Sequence, residues 1–266
     1  MVARVRRAAK VRRVGHAGTL DPLASGVLLV CLGQATRIVS YLQDGPKVYL
    51  ACIRLGQRTD TYDAEGAVVE ELPLPEELHL DPFVGDIWQR PPLYSALKRQ
   101  GRPLYDYARK GESVEIEPRQ VRVDRIDLVD WRPPLATIRV WCGKGTYIRS
   151  LANDLGGHLT SLVREASGSF RIEEAMSLDD IGAWENCLMP IDAALPQLAR
   201  LLVDARQAAR LRNGLALDGL TGEALALDPT GGVIAILRDG HPHIVFNLDL
   251  PEQRPGARIA DVNEGR

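Results

Sequence analysis

No part of this chain is apolar for long. The longest run, Val27 to Leu32, is far short of the roughly 20 residues a bilayer-spanning helix needs, and the basic N-terminus is not followed by the apolar segment of a secretory leader. The expectation is a soluble, unexported, cytoplasmic protein with no membrane partner. Cysteine is scarce as well: Cys31, Cys52, Cys142 and Cys187 are scattered with no C-x-x-C pair, which argues against a zinc knuckle and a disulfide framework and predicts reduced, mostly buried thiols. There is no P-loop, no dinucleotide fingerprint, no repeat and no low-complexity tract. Nor is there a large charge excess. The net charge of −2 fails the simple test for a nucleic-acid binder, a strongly basic domain. What is present is 266 residues, 45% hydrophobic and 26% charged, enough core for one large domain, or one domain with a small appendage, and too much for a wholly disordered chain.

The charge is segregated. Residues 1 to 13 carry Arg4, Arg6, Arg7, Lys10, Arg12 and Arg13 and no acid, and Arg90 to Arg125 holds nine basic residues against five acidic ones. Between them, Asp60 to Asp81 has eight acids and no lysine or arginine. A positive groove is therefore possible on a globally acidic protein, because local potential steers a polyanion. Solvated helix faces are the alternative reading.

Along the chain, Val27 to Leu32 between Gly26 and Gly33 suits a buried strand, and Gln34 to Gln43 reads as a helix. Val48 to Leu55 alternates, with Tyr49, Ala51, Ile53 and Leu55 on one face, and is predicted to be a strand. Pro103 as a first helical residue and Gly111 past the last turn bracket a short helix around Tyr105 to Arg109. Val121 to Trp131 and Leu135 to Cys142 are β-rich runs joined through Pro133 and Pro134. After the turn at Gly143 to Thr146, the spacing of Ile148, Leu151, Ala152, Leu155 and Leu159 predicts a helix capped by Thr146. Beyond Ile191 the texture shifts, with short strands predicted at Val233 to Leu237 and His243 to Asn247. A boundary near 195 to 200 divides a domain over 1–195 from a small β-rich one over 200–266.

The string VGHAGTLDPLASGVLLVCLGQATR, Val14 to Arg37, sets Asp21 between a glycine-containing turn and the bend at Pro22, just before the buried strand. A carboxylate there stands at the rim of a sheet, where it can face a cleft or simply cap a turn. This string closely resembles the catalytic motif of the TruB-type tRNA pseudouridine synthases. RLGQRTDTYDAEG from Arg54, PPLYSALKRQGRPLYDYARKG from Pro91 and GKGTYIRSLANDLG from Gly143 resemble the second, third and fourth signatures of the same family, in family order.

The resemblance implies a mixed, largely antiparallel α+β sheet flanked by helices, with a PUA-like C-terminal RNA-binding domain. It also implies conversion of uridine 55 in the tRNA T-loop to pseudouridine, with Asp21 as the essential carboxylate. The reaction breaks C1′–N1, turns the base and makes C1′–C5. A carboxylate can attack C1′ or take a proton from C2′. No redox step occurs, so neither cofactor nor metal is expected. Arg149 matches the arginine that pairs with the catalytic aspartate, an arrangement that orients a carboxylate. Tyr49 and Tyr147 match two tyrosines of the family site, Tyr49 stacking on the target base. His16 matches a residue lying against flipped T-loop nucleotides, and Leu162 the apolar wall of the base pocket. Arg164 follows Leu162 where the family usually has two arginines and this chain has Val163 and Arg164. Arg12, Arg13, Lys98, Arg99 and Arg102 are candidates for contacts with the RNA backbone. The implied partner is the T-arm of tRNA, bound by a monomer with no obligate protein partner. The family normally begins with an apolar strand and an Asp-Lys-Pro block, and here Met1 enters directly at the basic helix. A non-catalytic RNA-binding protein is the alternative from another class, and the joint retention of Asp21 and Arg149 argues against it. The guide-RNA-dependent branch of the superfamily has a longer, more basic C-terminal domain.

Overall fold

The computed structural model describes residues 1–95, 97–99, 101–110, 112, 114–247 and 257–261, with Lys98 and 257–261 described by their backbone. Gly111, expected to end a helix, lies outside the described residues. In chain order the elements are α1 (Val2–Ala9), β1 (Val14–His16), β2 (Ala24–Leu32), α2 (Val39–Asp44), β3 (Lys47–Leu55), β4 (Gln57–Thr59), β5 (Val68–Glu71), β6 (Gly85–Gln89), β7 (Lys98–Arg99), β8 (Arg102–Pro103), α3 (Leu104–Arg109), β9 (Arg119–Arg132), β10 (Leu135–Cys142), α4 (Ile148–Asp154), β11 (Gly157–Ser167) and β12 (Phe170–Arg171). A β-rich C-terminal region follows, with β13 (Ala199–Leu202), α5 (Ala205–Arg212), β14 (Glu223–Leu227), β15 (Val233–Arg238), β16 (His241–Val245) and β17 (Ala257–Asp261). No helix among the described residues is long and apolar enough to cross a membrane.

The chain divides into two compact units. One comprises Met1–Leu20, Leu28–Gln43 and Glu173–Val262; the other contains Asp21–Val27 and Asp44–Ile172. The second unit is built on a sheet in the order β2, β11, β3, β10, β9, β6. Every pair is antiparallel except β2 with β11, where Ala24 lies opposite Leu162 and Gly26 opposite Arg164. The strands form because their residues alternate. In β10 every second residue from Ala136 to Cys142 is buried, and its neighbours lie on the wetter face, the pattern of a half-covered antiparallel strand. Strand β2 is buried almost throughout, as a continuous apolar run requires.

In the other unit, α1 packs its Val5 and Ala9 against Leu28, Val30 and Leu32. Strands β13, β14, β15 and β16 form a second sheet. Helix α5 packs on β15 and β16, and its Ala208 and Leu211 enter the core with Ile234 and Leu237. Asp204 and Gln207 start α5 as a reciprocal capping box, satisfying two donors that a helix start leaves open.

Three local expectations are corrected. The helix predicted through Leu159 stops at Asp154, because Gly156 turns the chain at φ +84° and Leu159 continues in β11, fully buried. Thr146 is not the cap: its hydroxyl donates to Gly143 O at 3.2 Å, and the cap position belongs to Tyr147. Helix α3 starts at Leu104, with Pro103 as its cap residue and not its first helical one.

Gly26 is the tightest point of the sheet. At φ +99° an added Cβ would stand 2.3 Å from the carbonyl oxygen of Arg164 and 2.7 Å from its nitrogen. Both are backbone atoms that cannot swing away. Gly26→Ala is therefore expected to cost about 3 kcal/mol or more, strain and overpacking together, read as a fall in the urea midpoint. A loss below about 1 kcal/mol would contradict this close approach.

Candidate active site

Asp21 ends the segment leading into β2, and its carbonyl accepts from Ala24 N at 2.9 Å, closing the turn that Pro22 bends. Its carboxylate remains 30% exposed, whereas the Arg149 side chain is only 4% exposed. The two meet in a bidentate pair, Nε to Oδ2 at 2.8 Å and Nη2 to Oδ1 at 2.7 Å. Nη2 also donates to Tyr94 O at 2.9 Å, and Nη1 donates to Thr61 O at 3.3 Å and to Asp63 Oδ2 at 3.4 Å. All five N–H groups of the guanidinium are thus committed. A planar fork held this way fixes both oxygens of Asp21.

Asp63 is the second carboxylate of the cluster, and it is buried. Its Oδ1 accepts from Thr61 Oγ1 at 2.6 Å and from Glu65 N at 3.1 Å, and its own loop is tied to β11 by Leu159 N to Tyr62 O and Ala64 N to Leu159 O. Gly66 keeps the loop tight, since a Cβ there would fall 2.3 Å from Asp60 Oδ1 and from Thr61 Oγ1. The string around Asp63 resembles the second family signature, but that resemblance gives Asp63 no role. The signal was an acid in a glycine-closed turn inside an otherwise solvated acidic run.

Tyr49 lies on β3 opposite Arg164 of β11, and Ala51 opposite Leu162, so tyrosine, arginine and leucine share one face. Burial pushes the Tyr49 phenol up, the Arg164 charge and hydrogen bond pull it back, and the Asp21 charge adds a smaller upward push. Arg164 is 2% exposed and donates through Nε to Val27 O at 2.6 Å. It stands within the sheet beside Tyr49, with no solvent-facing surface to offer a phosphate. Lys47, nearby on β3, is buried as well, and desolvation followed by the Arg164 charge lowers its pKa.

Residues 6–148 match the N-terminal domain of the TruB family pseudouridylate synthases. The chain belongs to that family. Similar proteins include the tRNA pseudouridine synthase B of Cupriavidus pinatubonensis, 42% identical over 277 residues, covering 96% of this chain and 86% of that protein. The tRNA pseudouridine synthase B of Symbiobacterium thermophilum is 45% identical over 231 residues, 81% of this chain and 77% of its own. Among solved structures, a Cbf5–Nop10–Gar1 complex contains a chain of the same fold, with a TM-score of 0.66 at 24% identity over 99% of this chain and 79% of that one. Arg149 sits one residue past the span matched to the TruB family.

The remaining expected residues are dispersed. Tyr147 is half-buried at the start of α4, two residues before Arg149, and its N–H donates to Gln89 Oε1 at 2.7 Å. His16 lies in β1 opposite Val30, with a buried Nδ1 that has no hydrogen-bond partner among the described residues. Arg12 and Arg13 are exposed, beyond the end of α1. Arg99 is exposed and donates to Glu115 O. Arg102 pairs with Glu112 at 2.9 Å and lies over the Tyr107 ring at 4.1 Å. The side chain of Lys98 lies outside the described residues.

Proposed function

We propose that this chain is a tRNA pseudouridine synthase that isomerises uridine 55 of the T-loop, with Asp21 as its catalytic carboxylate. The observation that carries this reading is the Asp21–Arg149 pair, in which the arginine is buried and saturated while the carboxylate keeps an open side. Membership of the TruB family and relatives bearing the name tRNA pseudouridine synthase B supply the reaction class.

In this reading the loop uridine leaves its stack, at a cost of a few kcal/mol, and its base rests on Tyr49 with Leu162 as the apolar wall. Asp21 acts at the sugar, on C1′ as nucleophile or on C2′ as base. The glycosidic C1′–N1 bond breaks and C1′–C5 forms; C5 loses its proton and N1 gains one. Arg149 keeps the carboxylate aimed throughout. Tyr147 adds to the nucleotide surface from the start of α4, and His16 serves as a separate contact for T-loop nucleotides. The segment from 200 to 266 serves as a PUA-like RNA-binding domain, and no obligate protein partner is needed.

Release of the C5 proton provides the test. A T-arm stem-loop labelled with tritium at uridine C5 is expected to lose one label per molecule, from position 55, when incubated with the purified chain. Retention of the label with both the stem-loop and full-length tRNA would overturn the proposal.

The basic segments make a separate prediction. If a local groove holds the RNA, log K falls steeply with log salt, at roughly 0.7 to 0.9 per phosphate contact. Replacing Arg12 and Arg13 by alanine is expected to weaken all tRNAs alike and to flatten that slope by up to about two contacts. Fluorescence titration at several salt concentrations reads both. An unchanged slope would make the pair a solvated face.

A further inference from the structure

Resting on the reading above, we propose that Gln89 is a positioning residue for the reaction, its side-chain carbonyl fixing the start of α4 and through it Tyr147 and Arg149. Gln89 is the last residue of β6 and is 1% exposed. A peptide N–H only donates, so the Tyr147 N–H at 2.7 Å identifies its partner as the amide oxygen and assigns the amide orientation. The NH2 end is then buried with no hydrogen-bond partner among the described residues. Leaving a buried donor unpaired destabilises the fold, and a methionine of similar volume would avoid that. The amide is kept despite this cost, and the interaction it makes is with the site.

The run after Gln89 has the same task. Pro91 and Pro92 have no N–H to donate, so this run cannot continue β6 as a fully paired strand, and it grips α4 with acceptors. Ser150 Oγ donates to Arg90 O at 2.7 Å, and Arg149 Nη2 to Tyr94 O at 2.9 Å. Tyr147, Arg149 and Ser150 are thereby held by Gln89, Tyr94 and Arg90. Two of these anchors are main-chain carbonyls, which any residue supplies. Gln89 alone supplies its acceptor from a side chain, so it is the anchor a substitution can remove. An N–H at a helix start has no intrahelical acceptor, and without Gln89 that of Tyr147 would have to turn to find one, carrying Arg149 out of register with Asp21.

The test compares the parent, Gln89→Met and Gln89→Glu, the last retaining a carbonyl-like acceptor of the same length. Gln89→Met is expected to lower kcat by about 30- to 100-fold, the loss that a displacement near 1 Å produces. KM for tRNA should stay within about threefold, and the Tyr147 amide should lose its protection from hydrogen exchange while the rest of α4 keeps its own. Gln89→Glu should restore the Tyr147 protection and bring kcat to within about fivefold of the parent. A Gln89→Met enzyme with parental kcat, a loss confined to KM, or a Gln89→Glu enzyme as slow as Gln89→Met would each overturn the proposal. Should Gln89→Met fail to fold, Gln89→Glu decides alone on the same two readings. A parent that forms no pseudouridine would sink the functional reading, and Tyr147 exchange would still report whether Gln89 holds the helix.

Discussion

Replacing Asp21 by asparagine is expected to stop pseudouridine formation while leaving tRNA binding nearly intact. The substitution preserves shape. It removes the charge and one of the two oxygens that Arg149 grips at 2.7 and 2.8 Å, so the amide can accept one of those bonds and turns its NH2 toward the guanidinium at the other. An amide neither attacks a sugar carbon nor takes a proton from one, so turnover should fall by more than about a thousandfold. Affinity should change by less than about tenfold, roughly 1.4 kcal/mol, because the carboxylate acts in the reaction and not on a phosphate. Tritium release under single turnover and a binding titration on the same tRNA separate the two. Turnover above a few per cent of the parent would remove Asp21 from the chemistry, and a matching collapse of affinity would make it a binding residue.

Asp21 and Arg149 could be named from the sequence because each lies in a string resembling a known family, and strings preserve local order; Tyr49 stands between the first and second strings, on a strand legible from its alternation. Asp63 could not be assigned a role that way. Its importance comes from β11, about 95 residues further along, whose Leu159 brings the acidic loop under Arg149, and no local pattern reports such a register. The β3 and β10 strands were legible because one face of each is buried, which imposes a period of two, whereas β9, buried only at Val121 and Val123, was legible as a β-rich run. The end of α4 was not. Leu159 fits a helical spacing from Ile148, and only the turn at Gly156 and the pairing of Leu159 with Ile53 of β3 override it. Thr146 had the chemistry of a cap, but its hydroxyl turns back to Gly143 O, and the Tyr147 N–H goes instead to the buried amide of Gln89, a pairing across 58 residues. Arg164 was read beside Leu162 as part of the substrate surface. Alternation along β11 does put both on one face, yet the Arg164 guanidinium is turned in to Val27 O and is 2% exposed.

The arginine is the second place where a conservative change should be costly. Arg149→Lys keeps the charge, but an ammonium has three donors from one atom, whereas the guanidinium serves five acceptors in a plane. A lysine that reaches Asp21 abandons Tyr94 O, Thr61 O or Asp63, and one that stays with Asp63 releases Asp21. Turnover is expected to fall by about 10²- to 10³-fold, with affinity for tRNA within about tenfold. Arg149→Ala should go further and unfold more easily, by about 3 to 5 kcal/mol, because Asp63, with a side chain 5% exposed, is left as a buried carboxylate without its cation. That cause has its own check. Adding Asp63→Asn to Arg149→Ala removes the stranded charge and should recover a large part of the lost stability, about 1 to 3 kcal/mol of coupling in a double-mutant cycle, without recovering any activity. Urea denaturation of the four proteins measures the coupling. Additive losses would mean that Asp63 does not share the Arg149 charge, and the buried end of the site would then rest on the hydrogen bonds to Thr61 and Tyr94.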